Sequence, residues 1–139
     1  MSVPDQARSF LVLAREDLKV ARSLVVISPR HAAFHAQQAA EKVAKALLTA
    51  EGIPFGRTHS LGQLALRFPD GHPWRPRFLG LDRVSPYATM FRYPNDATGA
   101  LPPSPDPDQL ARDLDEIARL IPAAAAAVGI APEEPGSEL

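Results

Sequence analysis

Cysteine is absent from the 139-residue chain, and lysine is scarce, since only Lys19, Lys42 and Lys45 occur among 15 basic residues. The absence of cysteine excludes structural disulfides, zinc–thiolate sites and cysteine nucleophiles. The net charge is −1, so the chain has no overall attraction for nucleic acid or for an anionic membrane, and RNA binding would need a local basic patch. Because alanine and proline are abundant, we interpret the excess of arginine as genome composition.

Long hydrophobic runs are also missing. No apolar stretch approaches the ~20 residues of a membrane span, and residues 1–6 have neither the basic start nor the apolar core of a signal peptide. We therefore expect a cytoplasmic protein. Neither a bounded alternation of β-branched residues nor a phosphate-binding glycine loop occurs. The length fits one domain, which we place at residues 1–128 and follow with a flexible tail at 129–139.

Five segments show the apolar spacing of helices, which predicts an all-α fold. The first four predicted helices span residues 4–27, 30–51, 60–68 and 75–92. The fourth is expected to be interrupted near Ser85–Pro86. The fifth begins at Asp106–Pro107, where an acidic cap precedes a proline. Pro122 is expected to end or kink it, with continuation of the helix through the run Ala123–Ala127 as the open alternative, since alanine is the best helix former.

The second helix has two distinct faces when its residues are placed at 100° intervals. One face is rich in alanine and also carries Val43 and Leu47, so we expect it to pack in the core. The opposite face carries a mixture of polar, charged and aromatic residues, namely His31, Phe34, His35, Gln38, Glu41, Lys42 and Lys45.

The segment Phe34–Lys42, with the sequence FHAQQAAEK, closely resembles the second-helix signature of HEPN domains, the higher eukaryotes and prokaryotes nucleotide-binding family. Other family-like features follow in the expected order, from Asp17–Leu18 on the first helix, through the segment Phe55–Leu61, to Arg92–Tyr93–Pro94 after Tyr87. The resemblance covers roughly residues 7–125.

This resemblance implies an antiparallel up-and-down bundle of four to five helices that is usually a homodimer. Many such proteins resemble partners of minimal nucleotidyltransferases in toxin–antitoxin pairs, and others are metal-independent ribonucleases. The ribonucleases use an arginine followed a few residues later by a histidine, near the fourth helix. Here no histidine follows Arg92, and Arg30 with His35 fits the spacing only at the start of the second helix. We therefore lean against an enzyme.

The polar face of the second helix is nevertheless a candidate site. The candidate nucleotide- or RNA-binding residues are His35, Gln38, Lys42, Lys45, Arg92 and Tyr93. The cations among them could hold a phosphate, the histidine could act as a general acid or base, and the tyrosine could stack on a base. The alternative, which we favour, is that Glu41 pairs with Lys45 and the rest is a solvated or dimer surface.

Asp17 lies within the apolar arc of the first helix. A buried carboxylate needs a partner, and Lys42, Lys45 and Arg92 are candidates, so we interpret Asp17 as half of a structural ion pair. Histidines occur one turn apart at the start of the second helix, but the sequence specifies no third ligand. We therefore predict neither a metal site nor another cofactor.

Three functional hypotheses follow. The first, which we favour, is a homodimeric partner of a minimal nucleotidyltransferase in a toxin–antitoxin-like or nucleotide-handling system. The second is a metal-independent ribonuclease that uses Arg92 or Arg30 with His35. The third is a nucleotide sensor without catalytic activity.

Overall fold

A computed structural model describes residues 2–130, apart from the side chains of Val3 and Pro4. The described chain is helical throughout its regular parts and contains no strand, which confirms the prediction of an all-α fold. The α-helices are α1 (Val3–Leu24), α2 (Pro29–Ala50), α3 (Leu61–Ala65), α4 (Trp74–Gly80) and α5 (Pro107–Ala127), and a 3-10 helix spans Asp82–Ala88.

Helix α2 is the central element of the bundle. It packs against α1, α5, α3 and the 3-10 helix, so it is covered on several sides. Its alanines allow this close packing, because a methyl side chain lets a neighbouring helix approach. The buried alanines of α2 are Ala32, Ala33, Ala36, Ala39, Ala40, Ala44 and Ala46. The alanine-rich face therefore lies in the core, as the helical spacing predicted.

Three predicted helices have different bounds in the structure, and the third, predicted at residues 60–68, is the shorter α3 (Leu61–Ala65). The other two are the first and the fourth. The first helix ends at Leu24, and the exposed residues Val26 and Ile27 belong to the turn that leads to α2. The predicted fourth helix is two elements, separated at Leu81 rather than near Ser85–Pro86. Pro86 lies inside the 3-10 helix, and its ring nitrogen has no hydrogen to donate to an α-helical ladder.

Helix α5 does not end at Pro122 but continues to Ala127. Pro122 is exposed, and alanines follow it, so the strong helix propensity of the next residues maintains the helix after the missing hydrogen bond. Gly129, with φ of 79°, and Ile130 close the helix, because the Ile130 amide donates to the Ala125 carbonyl at 2.9 Å. The rest of the predicted flexible tail, residues 131–139, lies outside the described residues.

In the described part of the chain, no helix is both long enough and apolar enough to cross a membrane.

Candidate functional site

A buried carboxylate joins α1 to α2. Asp17 is 9% exposed, and its Oδ1 lies 2.9 Å from Nδ1 of His35. Lys42 Nζ donates to the other oxygen, Oδ2. His35 and Lys42 are thus both engaged by Asp17. Asp17 is buried because Ala14 and Ala21, one turn away on either side, are core residues. The other predicted partners of Asp17 have different contacts: Lys45 pairs with Glu41, and Arg92 lies on the Phe34 ring.

A second buried carboxylate lies on α2 itself, directly before Lys42. Glu41 is 3% exposed, although it falls on the polar face in the sequence. Its Oε1 lies 2.5 Å from Nδ1 of His59 and 3.5 Å from Nζ of Lys45. The Lys45 ammonium also lies 5.4 Å from the centre of the Phe55 ring. Glu41 therefore ties α2 to the segment that precedes α3.

The two amides of α2 complete this polar layer. Gln38 donates to Oε1 of Gln37 at 2.6 Å, and the fully buried Gln37 donates in turn to the His59 carbonyl at 3.0 Å. All four polar candidates on α2, His35, Gln38, Lys42 and Lys45, are therefore engaged by groups of the same chain. The positive charges of Lys42 and Lys45 face buried carboxylates, which weakens any attraction for a phosphate.

Arg92 is placed on an aromatic side chain rather than beside a carboxylate. Its guanidinium lies 4.3 Å from the centre of the Phe34 ring and 5.4 Å from that of Tyr93. Phe34 in turn contacts the His35 ring edge to face, with the ring centres 5.2 Å apart. Arg92 and His35, the pair predicted for a ribonuclease, thus both contact the Phe34 ring and do not share a hydrogen bond.

Arg92 shares a cavity of about 240 Å³ with the first residues of α2. Its lining residues are Arg30, His31, Phe91, Arg92 and Tyr93. The Arg30 guanidinium is held by two backbone carbonyls, those of Pro102 at 2.7 Å and Pro103 at 3.4 Å. The sequence separates these residues by some sixty positions, so only the fold brings the two arginines together.

The sequence analysis missed a third buried carboxylate, Asp113 on α5, which is fully buried. Arg83 donates to its Oδ1, Gln109 donates to the same oxygen at 3.0 Å, and Tyr87 donates to its Oδ2 at 3.0 Å. Burial, together with the Asp113 charge, raises the pKa of Tyr87 to about 12. The signal was present, because Asp113 falls within the apolar stripe of α5, directly before Leu114.

An apolar cavity of about 560 Å³ opens on the outer side of α1. It is lined by Gln6, Ser9, Phe10, Leu13, Thr49 and Phe55. The Phe10 and Phe55 rings meet edge to face with their centres 6.2 Å apart. Leu13 is 45% exposed at its rim, and Val20, two turns further along the same face, is 39% exposed. Two exposed apolar side chains therefore lie on this face of α1 beside the cavity, among the polar residues Gln6, Ser9 and Glu16.

Metal-binding clusters are not found among residues 2–130, where no three histidine, aspartate or glutamate side chains are grouped for coordination. His31 and His35 point to different partners: Nδ1 of His31 lies 2.6 Å from Oγ of Ser28, and His35 is engaged by Asp17.

Comparison with protein families gives one match. A family model described as HEPN domain matches residues 5–128, which is most of the chain. No curated protein and no solved structure matches.

Proposed function

Because the chain belongs to the HEPN family, whose model matches residues 5–128, we propose that it is a cytoplasmic, homodimeric partner of a minimal nucleotidyltransferase. In this proposal it acts in a toxin–antitoxin-like or nucleotide-handling system, as an interaction protein rather than an enzyme.

The apolar outer face of α1 is the observation that carries the proposal. Leu13 and Val20 are exposed on it, and the cavity beside Leu13 is walled by Phe10 and Phe55. Exposed large apolar side chains beside an apolar cavity are typical of an interaction site. Dimerisation is common among HEPN domains, and a twofold dimer would bury this face twice.

The polar face of α2 also supports the proposal that the chain is an interaction protein rather than an enzyme. Its cationic residues are engaged by Asp17 and Glu41, two carboxylates that are nearly inaccessible to solvent. The contacts of His35 and Lys42 with Asp17 join α2 to α1, so these two residues contribute to packing between helices. This role requires no substrate.

Partner capture tests the proposal. The tagged full-length chain is expressed in its native host, and proteins recovered with it are identified by mass spectrometry. We expect a minimal nucleotidyltransferase in near-equal amount to the chain, and none with a tagged protein of similar size and charge. Repeated recovery of the chain without any nucleotidyltransferase would overturn the proposal.

Metal-independent RNA cleavage is a second candidate function, favoured by one observation. Asp17 engages Nδ1 of His35, an arrangement that orients an imidazole for proton transfer through its other nitrogen, and Arg92 stacks on the adjacent Phe34. The test is cleavage of single-stranded RNA by wild type, His35→Ala and Arg92→Ala in the presence of a chelator. Loss of cleavage in both variants supports this function, and equal background cleavage by all three proteins ends it.

A further inference from the structure

The turn between α1 and α2 carries two of the three most exposed large apolar side chains in the described part of the chain. Val26 is 93% exposed and Ile27 is 80% exposed. Because a short turn joins two long helices that pack side by side, these two residues lie at one end of the bundle. Covering aliphatic side chains is favourable, so a partner that takes them out of water gains affinity.

A third aliphatic side chain is held at the same end of the bundle. Leu101 is 81% exposed, and it directly precedes Pro102. The Arg30 guanidinium donates to the carbonyls of Pro102 and Pro103, and Arg30 lies in the first turn of α2. These bonds fasten the segment around Leu101 beside the start of α2. We call the three side chains of Val26, Ile27 and Leu101 the apolar tip.

The charge along the α1–α2 turn is of one sign. Residues 18–40 include no aspartate or glutamate, and they carry Lys19, Arg22 and Arg30 around the turn. Arg22 lies 3.8 Å from one carboxylate, that of Asp115, and both side chains are more than half exposed. Solvent weakens such an exposed pair, so Arg22 can exchange this contact for another anion. Basic side chains therefore flank the apolar tip.

An anionic lipid surface matches this end of the bundle better than a second protein does. Aliphatic side chains on a turn and a loop can enter the acyl layer, which needs no preformed pocket, and basic side chains beside them meet the negative headgroups. Leucine and valine are under-represented among the residues that dominate binding between proteins. The acidic residues of the loop, Asp96 and Asp106, lie five positions before and after Leu101. Because the net charge is only −1, the attraction for an anionic surface is local to this end.

We propose that the apolar tip inserts into the surface of an anionic lipid bilayer, while Arg22 and Arg30 contact the phosphate headgroups. The domain then binds the membrane peripherally through one end of its bundle, and no helix has to cross the bilayer. This inference goes beyond the proposed partnership, and it uses none of the residues on the outer face of α1 that carry that proposal.

Sedimentation of the full-length chain with lipid vesicles tests the proposal. One set of vesicles is phosphatidylcholine alone, and the other is phosphatidylcholine and phosphatidylglycerol in equal parts. We expect binding to the mixed vesicles and at least about tenfold weaker binding to the neutral ones. Binding to the mixed vesicles should also weaken as the salt concentration rises, because salt screens the headgroup charge. The absence of binding to the mixed vesicles at millimolar lipid would overturn the proposal.

Variants assign the binding to the apolar tip. Val26→Ser combined with Ile27→Ser should weaken binding to the mixed vesicles at least about tenfold, because the inserted methyl groups are lost. Leu66→Ser is the control, since Leu66 is also an exposed leucine but follows α3. Arg22→Gln should weaken binding about fivefold, whereas Arg67→Gln, which gives the same net charge, should not. Thermal unfolding checks that each variant is folded, and equal vesicle binding by folded tip and control variants would contradict the proposal.

Fluorescent labelling shows which part of the domain enters the bilayer. Because the chain has no cysteine, Ile27→Cys provides a single site for a dye whose emission depends on the polarity around it. We expect the emission to shift to shorter wavelength on the mixed vesicles. Leu13→Cys, about three turns before the end of α1, should give no shift. Equal shifts at the two positions, or no shift at Ile27→Cys when the chain is bound, would show that the tip does not insert.

The capture experiment distinguishes a lipid surface from a protein partner at the apolar tip. If the combined Val26 and Ile27 variant loses the nucleotidyltransferase, and the wild type does not bind vesicles, the tip contacts protein and the lipid proposal is wrong. If the wild type binds the mixed vesicles but recovers no nucleotidyltransferase, the lipid proposal stands and the proposed partnership fails.

Discussion

The amide of Gly62 donates to Oδ1 of Asp82 at 2.8 Å, and this contact joins the first turn of α3 to the 3-10 helix. A Cβ atom at position 62 would lie 2.9 Å from the Asp82 carboxylate. That carboxylate cannot simply move away, since Oδ1 also accepts a hydrogen bond from the Ser85 hydroxyl at 2.7 Å. We expect Gly62→Ala to lower the free energy of unfolding by about 1–3 kcal/mol, measured by chemical denaturation.

Gly80 is the matched control for this substitution. It is the last residue of α4, and a Cβ atom there would meet no other atom within 4 Å. Because alanine has the higher helix propensity, Gly80→Ala should leave the free energy of unfolding unchanged or raise it by up to about 1 kcal/mol. Equal effects of the two substitutions would show that the contact with Asp82 is not the cause.

Tyr87 gives a pH-dependent prediction. Burial and the Asp113 carboxylate raise its pKa in the folded chain to about 12, whereas a tyrosine in an unfolded chain titrates near about 10. The unfolded chain therefore loses this proton first. The contribution of Tyr87 to stability is complete below pH of about 10 and is lost as the pH rises toward about 12.

Comparison with Tyr87→Phe isolates this contribution, since the phenylalanine side chain does not titrate. Below pH of about 10, the wild type should be more stable by the hydrogen bond to Asp113, about 1–3 kcal/mol. This advantage should shrink between pH of about 10 and about 12 in denaturant titrations. A constant difference across that range would contradict the raised pKa.

At the scale of the element, the sequence predicts the long helices better than the short ones. Helices α1, α2 and α5 have apolar stripes that repeat over several turns, so their existence and buried faces follow from spacing alone. Helix α4 and the 3-10 helix span seven residues each, too few for a period to be established. Their bounds depend on tertiary contacts such as the bond between Leu61 N and Oγ of Ser85, which no local pattern contains.

Pro122 provides a test of what a proline costs inside α5. The helix continues through Pro122 to Ala127, although proline removes a hydrogen bond from the helix interior. We expect Pro122→Ala to raise the free energy of unfolding by about 1–3 kcal/mol, because alanine restores the missing donor at an exposed position.

Pro107 is the control within the same helix. It lies in the first turn, where an amide hydrogen has no partner within the helix and a proline is favourable. Pro107→Ala should therefore bring no gain in thermal stability. If both substitutions stabilise the chain equally, the effect of Pro122→Ala does not come from its place in the helix interior.

At the scale of the whole molecule, the positions of the polar candidates depend on contacts between distant segments. The helical spacing places His35, Lys42 and Lys45 on one face of α2, which is where the structure has them. It does not show that Asp17 from α1 engages two of them, or that Arg30 and Arg92 share a cavity. These contacts are set by how the helices pack. A single sequence therefore provides a local pair such as Glu41 with Lys45, one turn apart, but it does not choose among the candidate partners of Asp17.

The outer face of α1 makes a prediction for the assembled protein. If two copies bury this face against each other, a charge at its centre must be desolvated without a partner, which strongly opposes association. We expect the wild type to be a dimer by size-exclusion chromatography with light scattering, and Leu13→Glu to be a folded monomer. Leu79→Glu on α4 is a closely matched control, because Leu79 is 43% exposed and Leu13 is 45% exposed. A wild-type monomer at all concentrations, or a dimer that tolerates Leu13→Glu, would contradict the assignment of this face as the dimer interface.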